Sequence, residues 1–198
     1  MFAVYITHPQ VLIDPEVPVP DWGLSATGAA RAETAARLSW VQALSRIVSS
    51  DEVKAKKTAA FFGRATGIEP EILPDFHEND RSATGFLPPD VFEAAADAFF
   101  AEPEKSFRGW ERAVDAQKRI VTAVNDVLAR HDTRQPVAFV GHGVVGTLLK
   151  CHLKGVEISR AEDQGAGGGG NLFAFSLSER AVLCDWTPIE TWQGWTGQ

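Results

Sequence analysis

Two of the chain's five histidines stand where a side chain is held for chemistry. His8 ends the apolar run "AVYITHPQV", and His142 sits between two glycines after "PVAFV". Glu78 follows a short apolar stretch in "PDFHEND", and Lys54 opens a helical pattern in "SSDEVKAKKTAA". A neutral imidazole is a good nucleophile toward phosphorus near neutral pH, above all when its second nitrogen is pinned by a carbonyl. The transferred phosphoryl group carries charge on its equatorial oxygens, so cations and N–H donors must surround it. A nearby carboxylic acid protonates the leaving alcohol and then activates water. The set therefore suits phosphoryl transfer.

Such groups act together only if the fold gathers them. Phe2–Ile6, Arg46–Ser49, the stretch "PEILPDF" and "PVAFV" read as strands. Between them lie helical patterns: Ser25 or Thr27 caps a helix running to Leu38, and Ser50 or Asp51 caps another ending near Arg64. A third starts near Asp90 behind Pro88-Pro89 and continues through Phe100. A fourth spans 107–131, with Ala113, Ala116, Ile120, Val124 and Val127 on one face. A helix also follows His142. "LFAFSL" and "AVLCDW" form a closing hairpin turning at Ser178-Glu179-Arg180. "AGGGGN" reads as a flexible turn, out of register for a nucleotide-binding loop. Strands alternating with helices predict an α/β three-layer sandwich with a mostly parallel central sheet. Ligands bind such sheets at the carboxyl ends of the strands, and His8, Ser49-Ser50, Glu78 and His142 all fall there.

The chain has 198 residues, 44% hydrophobic and 23% charged, as expected for one domain spanning 1–198. A net charge of −7 argues against broad nucleic-acid binding, which wants a basic face, but not against a small anionic ligand in a locally basic pocket. No apolar run reaches membrane-spanning length. Cys151 and Cys184 form no CxxC motif and fit structural thiols in a reducing cytoplasm. The N-terminus opens on a strand-like segment without a signal peptide's layout. There is no H-E-x-x-H for a metal hydrolase and no G-x-S-x-G elbow for an α/β-hydrolase. His77, His131 and His152 read as ordinary surface or packing residues, and Trp186, Trp192 and Trp195 as packing for the C-terminal tail.

In order along the chain, Thr7-His8-Pro9, "LSATG" at 24–28, "SSDEVKAKKTA" at 49–59, "FHE" at 76–78 and "GHG" at 141–143 resemble the motifs of the histidine phosphatases, the phosphoglycerate mutase-like superfamily. The resemblance covers nearly the whole chain. It implies that His8 accepts the phosphoryl group, His142 stabilises the transferred charge and Glu78 is the proton donor. It also implies a phosphoglycerate mutase-like sandwich and no cofactor or metal. A segment at about 78–110 would lie over the pocket, with Phe86, Phe92, Phe99, Phe100 and Phe107 as apolar lining.

Two positions depart from the pattern. Thr7 stands for the family's first arginine and Lys54 for its second. Threonine offers a hydroxyl without charge, and lysine a charge without the planar fork. Arg81, three residues after Glu78, is the nearest substitute in sequence, ahead of Arg64 and Lys57. Thr7, Lys54 and Arg81 are therefore the expected phosphate-binding residues. Pro9, in place of the family's glycine, removes an N–H and holds His8 extended. The glycines around His142 leave room for close approach of a ligand. The expected activity is hydrolysis of a small organic phosphate through a phosphohistidine on His8, a mutase being disfavoured by the sparse basic residues. The alternative is an impaired enzyme that binds a ligand or partner.

Overall fold

In the computed structural model, which describes residues 1–195, the expected strand at the N-terminus is β1 (Phe2–Thr7), buried along its full length. It lies at the middle of a six-stranded sheet with β2 (Arg46–Ser49), β3 (Glu71–Ile72), β4 (Val137–Gly141), β5 (Asn171–Ser176) and β6 (Val182–Pro188), in the order β3-β2-β4-β1-β5-β6. The first four strands in that order run parallel; β5 and β6 are antiparallel additions, so the sheet is mixed. Together with its flanking helices the sheet makes the expected α/β sandwich. Side chains alternate along β1 between the two faces. Val4 and Ile6 meet a layer with Trp40 and Phe62, while Ala3 and Tyr5 meet one with Phe99, Ile120 and Leu148.

The first layer is built by α1 (Ala26–Ala36), the short α2 (Ser39–Gln42) and α3 (Val53–Thr66). Ser25 caps α1 by accepting the Gly28 N–H at 3.1 Å. At α3 the capping residue is Glu52, not Ser50 or Asp51. Ser50 is instead buried, its Oγ accepting the Glu52 N–H at 3.2 Å. The second layer holds α4 (Pro89–Ala101), α5 (Ala113–Leu128) and α6 (Gly143–Lys154). The helix expected over 107–131 begins only at Ala113, because Arg108 and Gly109 adopt positive φ angles of 46° and 89° and break the chain direction. Trp110 then turns inward, its indole N–H donating to Thr84 Oγ1 at 2.8 Å.

The segment at 78–110 is not uniformly a cover. Phe99 and Phe100 of α4 are buried in the core, Phe92 and Phe107 pack against it, and only Phe86 of the five faces a cleft. Trp186 and Trp192 pack as expected, Trp192 edge-on to Phe2 and Trp40 at 5.5 Å each, but Trp195 is 41% exposed. The glycine run 167–170, expected to be flexible, is tied down by Arg31, whose guanidinium donates to the carbonyls of Gly169 at 2.9 Å and Gly170 at 2.7 Å. All four glycines have positive φ, and a Cβ on Gly169 would overlap the His8 carbonyl. Among the described residues no helix is long and apolar enough to cross a membrane.

Candidate active site

β1 and β4 are adjacent and parallel, so their carboxyl ends meet at one rim. The His8 N–H donates to the Gly141 carbonyl at 3.0 Å, and the two imidazoles come together with ring centroids 5.3 Å apart, edge to face. The Nδ1 atom of His8 lies 2.9 Å from the Pro9 carbonyl oxygen. A carbonyl only accepts, so Nδ1 carries the hydrogen and the Nε2 lone pair is free. Burial, aided by the charge of Lys54 and opposed by the Pro9 contact, lowers the His8 pKa to about 4. The ring is therefore neutral at physiological pH.

His142 is fully buried. Its backbone is clasped by Tyr5, whose hydroxyl accepts the His142 N–H at 3.2 Å and donates to the His142 carbonyl at 3.3 Å. Burial raises the Tyr5 pKa well above its ordinary value, so the hydroxyl keeps the proton it donates. This contact gives the nearby glycines a structural reason. Side chains on Gly141 or Gly146 would overlap the Tyr5 ring or hydroxyl, and one on Gly143 would meet the Gln164 amide. The glycines make room for these protein groups. His142 Nε2 lies 2.8 Å from Ser50 Oγ, while Nδ1 has no partner among the described residues. Burial holds the His142 pKa well below the usual histidine value.

Glu78 reaches the same rim from the loop after β3. Its carboxylate accepts the N–H groups of Val144 at 3.2 Å and Val145 at 3.1 Å, and so caps the start of α6 next to His142. Arg119 on α5 fastens the segment carrying Glu78 by donating to the carbonyls of Asp75 at 2.9 Å and His77 at 3.0 Å. Burial raises the Glu78 pKa; Arg81 opposes this and Glu52 adds to it.

Lys54 and Thr7 do not offer free groups. Lys54 is 3% exposed, and its ammonium is paired with Glu52 and donates to the Val19 carbonyl at 2.9 Å. Glu52 also accepts the Glu78 N–H at 2.8 Å and stands 3.4 Å from His142 Nε2. Burial opposes its ionisation, but His142, Lys54 and these hydrogen bonds prevail and lower its pKa to about 2. Thr7 is 1% exposed, with its hydroxyl 2.7 Å from Gln164 Oε1 and accepting the Asn171 N–H at 3.0 Å. Arg81 forms no salt bridge among the described residues; its guanidinium stacks 4.8 Å from the Phe92 ring centroid. Its positive charge depresses the pKa values of both His8 and His142.

A cleft of about 670 Å³ opens beside Glu52, Glu78 and Arg81. Its far wall is the segment Pro15–Pro20, with Phe86. Among the described residues no cluster of three or more His, Cys, Asp or Glu side chains is placed to hold a metal ion. Ser50 lies at the rim as expected, whereas Glu52, Tyr5, Arg119 and Gln164 are not apparent from the sequence; of these only Glu52 leaves a signal, as an acid two residues before a lysine at a buried helix start.

No curated protein sequence matches the chain. Solved structures do. A mycobacterial glucosyl-3-phosphoglycerate phosphatase in complex with inorganic phosphate is 22% identical with a TM-score of 0.77, covering 96% of this chain and 99% of that one. The same mycobacterial enzyme complexed with VO3 is 22% identical with a TM-score of 0.74, covering 94% and 96%. YhfR of Bacillus stearothermophilus is 21% identical with a TM-score of 0.76, covering 91% and 93%. At these identities the likeness is one of fold. The family model for the histidine phosphatase superfamily, branch 1, matches residues 17–170. The chain belongs to the histidine phosphatase superfamily.

Proposed function

We propose that the chain hydrolyses small organic phosphomonoesters through a phosphohistidine on His8. The observation that carries this reading is the His8 Nδ1 to Pro9 contact, which leaves a neutral Nε2 lone pair at the rim. Nε2 forms a bond to phosphorus as the ester P–O bond breaks, and Glu78 gives its proton to the departing alcohol oxygen. Water then attacks phosphorus, Glu78 takes up the water proton, and the N–P bond breaks to release phosphate. The sum is ester plus water to alcohol plus phosphate. The raised Glu78 pKa supports its role as acid, and the free guanidinium of Arg81 supports its role as the charge facing phosphate. Lys54 acts at one remove, through its pairing with Glu52.

The cleft takes the organic part of the substrate. Its wall carries Pro15, Val17, Pro18 and Val19, with Glu16, Asp51 and Asp80 against the single arginine. An uncharged or cationic leaving group fits this lining better than a second phosphate. The protein would act without a bound cofactor, in the cytoplasm.

One observation favours a second reading, a binding protein on a phosphatase scaffold: neither family arginine is present and Lys54 is neutralised by Glu52. Hydrolysis of an aryl phosphate, with chelator present, by the wild type and by His8→Ala separates the two. Turnover lost in the variant supports the enzyme. Absence of wild-type turnover on that ester and on natural phosphate esters supports the binding protein.

A further inference from the structure

The missing first arginine leaves a question that the side chains around Thr7 answer. Gln164 is 157 residues from Thr7 in sequence, yet its Oε1 receives the Thr7 hydroxyl at 2.7 Å and the Asn171 side-chain N–H at 3.2 Å. In this arrangement the amide oxygen faces Thr7 and Asn171, while the Thr7 hydroxyl also lies 3.2 Å from the Asn171 carbonyl. The other end, Nε2, lies against Gly143, where a Cβ would stand only 2.5 Å from it. Nε2 has no acceptor among the described residues. Gly143 is the first residue of α6 and directly follows His142, whose buried Nδ1 is likewise unpartnered.

We propose that Gln164 is a phosphate-binding residue, its Nε2 supplying the N–H donor that position 7 supplies in a histidine phosphatase with arginine there. This deepens the reading of the rim as a phosphoryl site and rests on it. Thr7 is then a positioning residue. Its hydroxyl accepts the Asn171 N–H and donates to Gln164 Oε1, so the amide is held with its donor end against Gly143, the residue after His142. The substitution of arginine by threonine is thus coupled to a glutamine on a distant loop. The amide is neutral, so it contributes direction without charge, and charge is left to Arg81.

The test is calorimetric binding of inorganic phosphate and of orthovanadate, which needs no turnover. Gln164→Glu keeps the shape but replaces the donor by an acceptor, and Gln164→Ala removes both ends. Losing one hydrogen bond to a charged ligand weakens binding by roughly 10- to 100-fold. The account predicts such a loss in Gln164→Ala and a larger one in Gln164→Glu, with the wild-type melting temperature kept in the latter. Thr7→Val should lose part of the affinity, and Thr7→Ser should restore it. Unchanged phosphate affinity in folded Gln164→Glu overturns the proposal, and so does a wild type that binds neither anion at millimolar concentration. A wild type that binds phosphate in a Gln164-dependent way but hydrolyses no ester would refute the hydrolytic reading and leave this one standing.

Discussion

The rings of His8 and His142 stand 5.3 Å apart at the ends of neighbouring parallel strands, although 134 positions separate them in sequence. The sheet makes this pairing: once Thr7 and Gly141 are in register, the next residue on each strand falls at the same rim. His8 is held by its own Pro9 carbonyl and His142 by Tyr5 and Ser50, so each ring is fixed independently of the other.

The pH profile follows from the two shifted groups. His8 must be neutral to attack, and its pKa is lowered to about 4, so kcat/KM rises as pH increases through about 4. Glu78 must be protonated to serve the leaving group, and its pKa is raised, so kcat/KM falls again as pH passes that raised value. The expected optimum lies between these two limits. Glu78→Gln should remove the alkaline limb while lowering kcat on esters with poor leaving groups most. A wild-type profile with no alkaline limb, or one unchanged in Glu78→Gln, would contradict this assignment.

Lys54 and Glu52 form a buried pair, so removing one partner leaves an uncompensated charge. Lys54→Met should cost about 3–5 kcal/mol in urea unfolding. The pair also predicts a pH dependence. The Glu52 pKa is about 2 when folded, below its ordinary value, so its stabilisation is present above about pH 4.5 and is lost as pH falls through 2. In Lys54→Met that acid loss should shrink. A variant as stable as the wild type at neutral pH would show that the pair is dispensable.

Much of this was legible in the chain and some was not, for physical reasons. His8, His142 and Glu78 sit at the ends of apolar runs, and a run followed by a polar residue is a local signal. Gln164, Tyr5 and Arg119 each hydrogen-bond a residue more than 40 positions away, and no periodicity announces such partners. The late start of α5 was hidden because Arg108 adopts φ 46°, a conformation seldom taken by residues other than glycine. The glycines beside His142 were visible, but their reasons, space for Tyr5 at Gly141 and for Gln164 at Gly143, were not.

The cleft lining predicts discrimination by leaving-group charge. Compared at matched leaving-group acidity, phosphate esters of neutral or amine-bearing alcohols should give higher kcat/KM than esters carrying a carboxylate or second phosphate, by about tenfold or more, since a single like-charge contact near a surface costs on the order of a kcal/mol or more. Reversing two exposed wall charges with Glu16→Lys and Asp51→Lys should narrow or invert that ratio. Equal rates for both classes would show that the wall does not touch the substrate.

The central claim is a covalent intermediate on one nitrogen. The direct measurement is rapid quenching of the wild type with a phosphate ester labelled at phosphorus, followed by mapping of the acid-labile, alkali-stable label. The account predicts label on His8, none on His142, and none in His8→Ala. Steady turnover with no trapped phosphohistidine, together with activity retained in His8→Ala, would contradict it.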